Sequence, residues 1–243
     1  SGTGVWTTVN GDACDMSPGD LILTPSWNWH DHTSTSDGSM FWFDGLDLPM
    51  VEALDAIFFE PYPELSQPGD ERRNRSEGTY RATGKQFVDG AVTDRLDPQS
   101  SPLLVYRWAD TDAELTRIAE RSDEPMASLE FVNPETGASA LPTLSCGMLR
   151  LAPGRRTAPV RRTGNTVFVV YRGHGTSVVA GQRMAWSDGD MFVVPSWSAV
   201  EHMAGEGADL FALGDAPVLR ALGIYREEQL SAPQPVLSAF GSA

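Results

Sequence analysis

Cysteine, lysine, histidine and long apolar runs are all scarce in this sequence, and each shortage excludes a class of protein. Two lone cysteines, Cys14 and Cys146, make neither a disulfide framework nor a Cys-x-x-Cys site. The longest clean apolar runs, such as residues 167–171, are far shorter than the ~20 residues of a membrane-spanning helix. We therefore predict a folded cytoplasmic protein that does not insert into a membrane.

Positive charge is also scarce, with 18 basic against 33 acidic residues and a net charge of -15. This balance argues against a protein that binds duplex nucleic acid, which normally presents a basic face. The first residues carry no basic and apolar leader, so no signal peptide is predicted. Because the sequence begins without Met and enters a strand-like pattern at once, we expect the native chain to begin upstream of Ser1.

An internal repeat is present at an offset of 170 residues. Segments 9–32 and 179–202 align without a gap, and nine positions are identical. Such a match indicates two copies of one structural unit. The second copy has short apolar runs broken by Gly-Asp and Pro, a pattern typical of strands in a small β-barrel of the jelly-roll type.

Secondary structure between the copies is less clear. Segment 50–59 is a short helix or a strand, 60–99 is predicted to be loop, and 112–122 has the periodicity of an amphipathic helix. A strand at 144–151 opens the second unit. The whole chain is predicted to be all-β.

We divide the chain into four parts. Residues 1–60 form the C-terminal part of the first barrel, and 61–140 form a loop-rich connecting segment with one short helix. Residues 141–230 form the second barrel, and 231–243 form a tail.

The chemically informative segment is Trp29-His30-Asp31-His32. On an extended strand, alternate residues point to the same face, so His30 and His32 are either half of a metal or acid–base site or a hydrogen-bonded structural pair. The repeat separates the two histidines: His32 has a counterpart in His202, whereas His30 lies opposite Val200. His30 is therefore the better metal-ligand candidate.

Further motifs make the resemblance to a known family specific. They are Pro18-Gly-Asp20, Thr24-Pro-Ser-Trp-Asn-Trp-His-Asp-His32, Trp42-Phe-Asp-Gly-Leu-Asp-Leu-Pro49, Ser101-Pro-Leu-Leu-Val-Tyr-Arg-Trp108 and Asn133-Pro-Glu-Thr-Gly137. With them, the sequence resembles the gentisate 1,2-dioxygenase family of bicupins along essentially its whole length. That family includes salicylate and 1-hydroxy-2-naphthoate ring-cleaving dioxygenases.

The resemblance implies one Fe(II) in the first barrel, held by three histidines. His30 would be one ligand, and the other two, with an arginine for the substrate carboxylate, would lie upstream of Ser1. His32 would be catalytic and would contact the substrate, as would Asp44. The second barrel has Val160, Arg162 and Val200 at the family's ligand positions and should not bind metal.

The implied reaction is extradiol-type cleavage of gentisate or a related salicylate. O2 is inserted between the carboxyl-bearing and hydroxyl-bearing carbons, and the implied assembly is a homotetramer. Two other functions stay open: a metal-free bicupin that binds a ligand or has a structural role, and a different cupin enzyme.

Overall fold

The computed structural model describes residues 4–68, 73–92 and 99–240, and most of its regular structure is strand. The strands are β1 Val5–Val9, β2 Asp12–Asp15, β3 Leu21–Ile22, β4 His30–Ser34, β5 Phe87–Asp89, β6 Val105–Tyr106, β7 Met126–Phe131, β8 Ser145–Leu151, β9 Val160–Arg162, β10 Thr166–Gly173, β11 Gly175–Val179, β12 Gln182–Trp186, β13 Met191–Val194, β14 Val200–Met203, β15 Ala208–Gly214, β16 Glu227–Gln229 and β17 Ser238–Phe240. The α-helices are α1 Leu48–Ala53, α2 Arg75–Tyr80, α3 Trp108–Glu120 and α4 Ala216–Ala221. The prediction of an all-β protein is confirmed.

The first unit is built on a three-stranded sheet in the order β2-β1-β4. Strands β1 and β4 are antiparallel, and their register places Thr7 opposite His32 and Val9 opposite His30. Strand β3 is not part of this sheet and instead pairs with β6 of the connecting segment. The first unit and the connecting segment are therefore joined by backbone hydrogen bonds.

The second unit is built on two six-stranded sheets, in the orders β13-β10-β15-β8-β7-β5 and β16-β9-β14-β11-β12-β17. Strands β5 and β7 come from the connecting segment, and β17 comes from the tail. Side chains from both sheets share one apolar core, which includes Leu151, Phe168, Trp186 and Leu210. A second core lies between α3 and the strands β7 and β8, and it includes Leu115 and Phe131. This second core packs the second unit against the connecting segment.

The backbone reproduces the repeat in detail. Asn10 and its counterpart Ala180 have φ values of 44° and 47°, and Trp27 and Trp197 have φ values of 64° and 62°. Residues other than glycine rarely adopt this left-handed backbone conformation. Four such residues in matching places confirm two copies of one structural unit.

A glutamine closes each unit in the same way. Gln67 Oε1 accepts a hydrogen bond from the Gly11 amide at 3.0 Å, and its Nε2 donates to the Thr8 carbonyl at 3.2 Å. Gln234 makes the corresponding bonds in the second unit, at 3.1 Å to the Gly181 amide and 2.8 Å to a strand carbonyl. The repeat thus extends beyond the aligned segments, with an offset of 167 for this residue.

The prediction of loop for residues 60–99 is wrong in part. Helix α2, a 3-10 turn at Arg81–Thr83 and strand β5 all fall within it, while 69–72 and 93–98 lie outside the described residues. Helix α2 has no local side-chain cap; instead, the Asp12 carboxylate accepts the amides of Arg75 and Ser76 at 2.9 Å each. A helix capped from more than 60 residues away leaves little local sequence signal.

Other predicted boundaries also change. Helix α3 begins at Trp108 rather than at 112, because Asp20 Oδ1 accepts the Trp108 amide at 2.9 Å. The connecting segment has two α-helices among its described residues instead of one, and its strands β5 and β7 extend a sheet of the second unit.

Within the segment predicted as a tail, β17 pairs in parallel with β12, while residues 241–243, like 1–3, lie outside the description. The division into four parts itself stays a prediction. No helix in the described ranges is both long and apolar enough to cross a bilayer.

Candidate functional site

The two histidines of β4 lie side by side, as the alternation of the strand predicts. The ring centroids of His30 and His32 are 5.8 Å apart, and both side chains are exposed. Nδ1 of His32 lies 2.9 Å from Thr7 Oγ1 on the neighbouring strand. This hydrogen bond fixes the orientation of the His32 ring, whereas His30 has no such contact among the described residues.

A cavity of about 1430 Å³ lies beside this strand. His32, Asp44 and Thr7 line it from the first unit, and Met148 and Phe211 line it from the second. His30 is adjacent to His32 but is not among the lining residues. The cavity therefore lies between the two units and is large enough for an aromatic acid.

The segment that carries Asp44 crosses from one unit to the other. Trp42 packs against His32, with ring centroids 5.2 Å apart. Phe43 packs against Phe211 at 6.4 Å, and Thr143 donates a hydrogen bond to Asp47 at 2.6 Å. This irregular segment is thus held by aromatic packing and one hydrogen bond at its two ends.

Two effects at the site change the pKa of His32 in opposite directions. Desolvation by the side chains around the ring lowers the pKa of His32 below its usual value, while the nearby Asp44 carboxylate raises it. The net result is a lowered pKa. At neutral pH, His32 is therefore held in its neutral form, which can both donate and accept hydrogen bonds.

The equivalent place in the second unit is filled with side chains. His202 is buried, and its Nδ1 lies 2.7 Å from Ser177 Oγ. The rings of Phe168 and Phe192 pack against it at 5.0 Å and 6.1 Å. Burial lowers the pKa of His202 to about 4.

The two copies differ at two positions near this place, and the first difference bears on the open space beside the first unit. Phe192 of the second unit corresponds to Ile22, which lines the cavity. Val200, buried in the second unit, corresponds to the exposed His30. The larger ring fills the interior of one copy, and the smaller side chain leaves room in the other.

Two residues near His32 escaped the sequence analysis. Thr7 contacts both the histidine and Met16, and Thr7 and Met16 differ from their counterparts Ser177 and Trp186. For Thr7 the sequence did carry a signal, because its counterpart at the offset of 170, Ser177, also has a hydroxyl group.

The side chains fit a metal ion only in part. The exposed imidazole of His30 is a suitable ligand for a divalent transition metal. Across residues 4–68, 73–92 and 99–240, however, no group of three or more histidine, cysteine or carboxylate side chains could hold a metal ion. These residues therefore do not complete a metal site by themselves.

Comparisons with known proteins agree with this architecture. Residues 1–46 match the model of the Cupin domain family. A gentisate 1,2-dioxygenase from a Streptomyces species is 43% identical over 93% of this chain and 64% of its own length. A 5-aminosalicylate 1,2-dioxygenase from a Comamonas species is 36% identical over 96% of this chain and 62% of its own.

A solved structure extends the match to the fold. The crystal structure of a salicylate 1,2-dioxygenase from Pseudaminobacter salicylatoxidans superposes with a TM-score of 0.82 at 37% identity. The match covers 94% of this chain and 66% of that one. The bicupin fold is thereby confirmed, and the chain spans about two thirds of the length of the relatives it matches. The chain belongs to the bicupin family of gentisate and salicylate 1,2-dioxygenases.

Proposed function

We propose that this protein is an Fe(II)-dependent ring-cleaving dioxygenase that acts on gentisate or a related salicylate. The supporting observation is the cavity between the two units, which His32 and Asp44 line in a chain whose relatives are named for this reaction. O2 is the second substrate. The chain is expected to assemble as a homotetramer in the cytoplasm.

His30 is the proposed metal ligand from this chain, and two further histidines are expected upstream of Ser1. Its imidazole is exposed on the same face as His32, at a position where the packed second unit has Val200. When bound, Fe(II) would supply open positions for O2 and for the hydroxyl and carboxylate oxygens of the substrate.

The remaining roles belong to groups that line the cavity. His32 is proposed to exchange a hydrogen bond or a proton with a substrate oxygen, because it is oriented by Thr7 and neutral at pH 7. The Asp44 carboxylate can accept a hydrogen bond from a distal ring hydroxyl. Trp42, packed against His32, provides an aromatic wall for the ring.

Oxygen uptake by the Fe(II)-loaded native protein, with the proposed ligands upstream of Ser1 included, tests the proposal. Gentisate, salicylate, 5-aminosalicylate and 1-hydroxy-2-naphthoate are compared, and at least one is expected to give uptake with loss of ring absorbance. His30→Ala is expected to lose this uptake, whereas the matched control His174→Ala should retain it, because His174 is exposed between β10 and β11. Absence of uptake with every substrate would overturn the enzymatic function.

A metal-free binding protein is the second candidate, because the described residues do not complete a metal site. Metal analysis separates the two functions. The dioxygenase is expected to hold about one iron per subunit, whereas a binding protein would hold none and would still bind an aromatic acid.

A further inference from the structure

Two hydroxyl groups, on Thr7 and Ser177, occupy equivalent positions and each lies beside Nδ1 of a histidine. The distances are 2.9 Å from Thr7 to His32 and 2.7 Å from Ser177 to His202. A neutral imidazole has its hydrogen on only one nitrogen, so each hydroxyl either donates to Nδ1 or accepts from it. Each hydroxyl has a second hydrogen-bond partner besides the histidine, and that partner decides between the two arrangements.

In the second unit, the second neighbour is a donor. Trp186 Nε1 donates a hydrogen bond to Ser177 Oγ at 2.9 Å. An indole nitrogen can only donate a hydrogen bond and cannot accept one. Ser177 is fully buried, so its own hydrogen needs an acceptor, and Nδ1 of His202 is the one within reach. A buried hydroxyl without an acceptor would cost about 1–3 kcal/mol. His202 therefore has its hydrogen on Nε2.

In the first unit, the second neighbour is an acceptor. The position of Trp186 is taken by Met16, whose thioether has no hydrogen to donate. The Thr7 hydroxyl donates to Met16 Sδ at 3.3 Å. Since a hydroxyl has one hydrogen, Thr7 Oγ1 must then accept from Nδ1 of His32. The reverse arrangement would make one hydrogen bond fewer.

We propose that Met16 and Thr7 are positioning residues that hold neutral His32 with its hydrogen on Nδ1, the tautomer opposite to that of His202. Nε2 of His32, across the ring from Thr7, is then an acceptor. Thr7 is the ring's only hydrogen-bond partner among the described residues.

The ligand group that meets this nitrogen must bring its own hydrogen, as a phenolic hydroxyl does and a carboxylate does not. The tautomer follows from the hydrogen bonds alone. Its relevance to a phenolic substrate rests on the proposed function.

Nitrogen NMR tests the tautomer without any assay of activity. The chain has only four histidines, and long-range ¹H–¹⁵N spectra of ¹⁵N-histidine protein distinguish the two neutral tautomers. Spectra are recorded without added metal at about pH 8, above the usual histidine pKa. We expect His32 and His202 to show opposite patterns, with each assigned by the loss of its signals in His32→Gln and His202→Gln.

Variants then test the two positioning residues. Met16→Leu keeps the side-chain volume but removes the acceptor, and is expected to move His32 toward the Nε2–H tautomer while His202 stays unchanged. In Thr7→Ser, His32 should keep the wild-type tautomer. In Thr7→Val, which has no hydroxyl, His32 should no longer prefer one tautomer.

Two results would overturn the proposal. One is a wild-type His32 with the same tautomer as His202, a comparison that needs no variant and holds even if one fails to fold. The other is a folded Met16→Leu protein, judged by unchanged His202 signals, in which His32 keeps its hydrogen on Nδ1. A failed oxygen-uptake assay would leave the tautomer result standing.

Discussion

Gly45 lies directly against Leu213 of β15. A methyl group added at Gly45 would overlap Leu213 Cδ2 and would lie 3.2 Å from Phe43 Cε1. Phe43 itself packs against Phe211 of the same strand. Contacts with the second unit therefore help to set the position of Asp44, although Asp44 belongs to the first unit.

Gly45→Ala is expected to impair catalysis more than stability. Leu213 is packed in a buried core, so the added methyl group is expected to push the segment away from it and to displace Asp44. A displacement of about 1 Å near a reacting group can cost up to ~100-fold in rate. Steady-state oxygen uptake should show a reduced kcat/KM. Gly38→Ala is the matched control, because its methyl group would have only Ser36 Oγ nearby, at 3.7 Å. Equal kinetics for the two variants would contradict the proposed placement of Asp44.

His30→Ala is expected to lower the iron content of the purified protein to a small fraction of the wild-type value. Loss of one of three ligands removes a large part of metal affinity. His174→Ala should retain full iron, because His174 is an exposed residue outside the site. Elemental analysis of both variants decides the matter, and full iron in His30→Ala would exclude it as a ligand.

His32→Ala should retain iron but lose turnover. A positioned acid–base group typically contributes about 10²–10⁴-fold to the rate, so kcat should fall within that range. Iron content and kcat are measured on the same preparation. Unchanged turnover at full iron content would remove His32 from the mechanism.

Gly19→Ala should destabilise the protein more than Gly189→Ala. The two glycines are counterparts with φ values of 85° and 83°, so both variants lose about 1–2 kcal/mol to the left-handed backbone. A methyl group at Gly19 would also come within 2.7 Å of the Tyr171 ring and 2.9 Å of Trp108, whereas Gly189 has open space. Overpacking adds about 1–3 kcal/mol. Urea unfolding should reveal the difference, and equal losses would mean that Tyr171 and Trp108 move aside freely.

His202 should make folding stability depend on pH between about 4 and 6.5. Its pKa is about 4 when folded and near 6.5 when unfolded, so the unfolded chain binds the extra proton first. Stability is therefore complete above pH ~6.5 and declines as the pH falls toward 4, by about 3 kcal/mol at ~1.4 kcal/mol per pKa unit.

Denaturant unfolding of His202→Gln across this range checks that prediction. The variant should have a flatter pH profile than His174→Gln. A residual slope at the acid end is expected, because ion pairs with arginine hold the pKa of Asp110 and Glu114 below their usual values. Identical profiles for the two variants would contradict a buried neutral His202.

The sequence predicted features that depend on local spacing. Alternation along a strand correctly placed His30 and His32 on one face, and the repeat identified the two units. Features that depend on distant contacts were missed. Helix α2 is capped by Asp12, and the contact between Gly45 and Leu213 joins residues that no local pattern relates. The role of Met16 became visible only beside Trp186.

The two closing glutamines have a consequence for the order in which the chain folds during synthesis. Gln67 bonds to an amide 56 residues before it, and Gln234 to one 53 residues before it. In each unit, these hydrogen bonds can form only after the glutamine has left the ribosome. Chains generally fold from the N-terminal unit onward. The second unit is therefore completed later in synthesis than the first, although each unit waits for a similar length of chain.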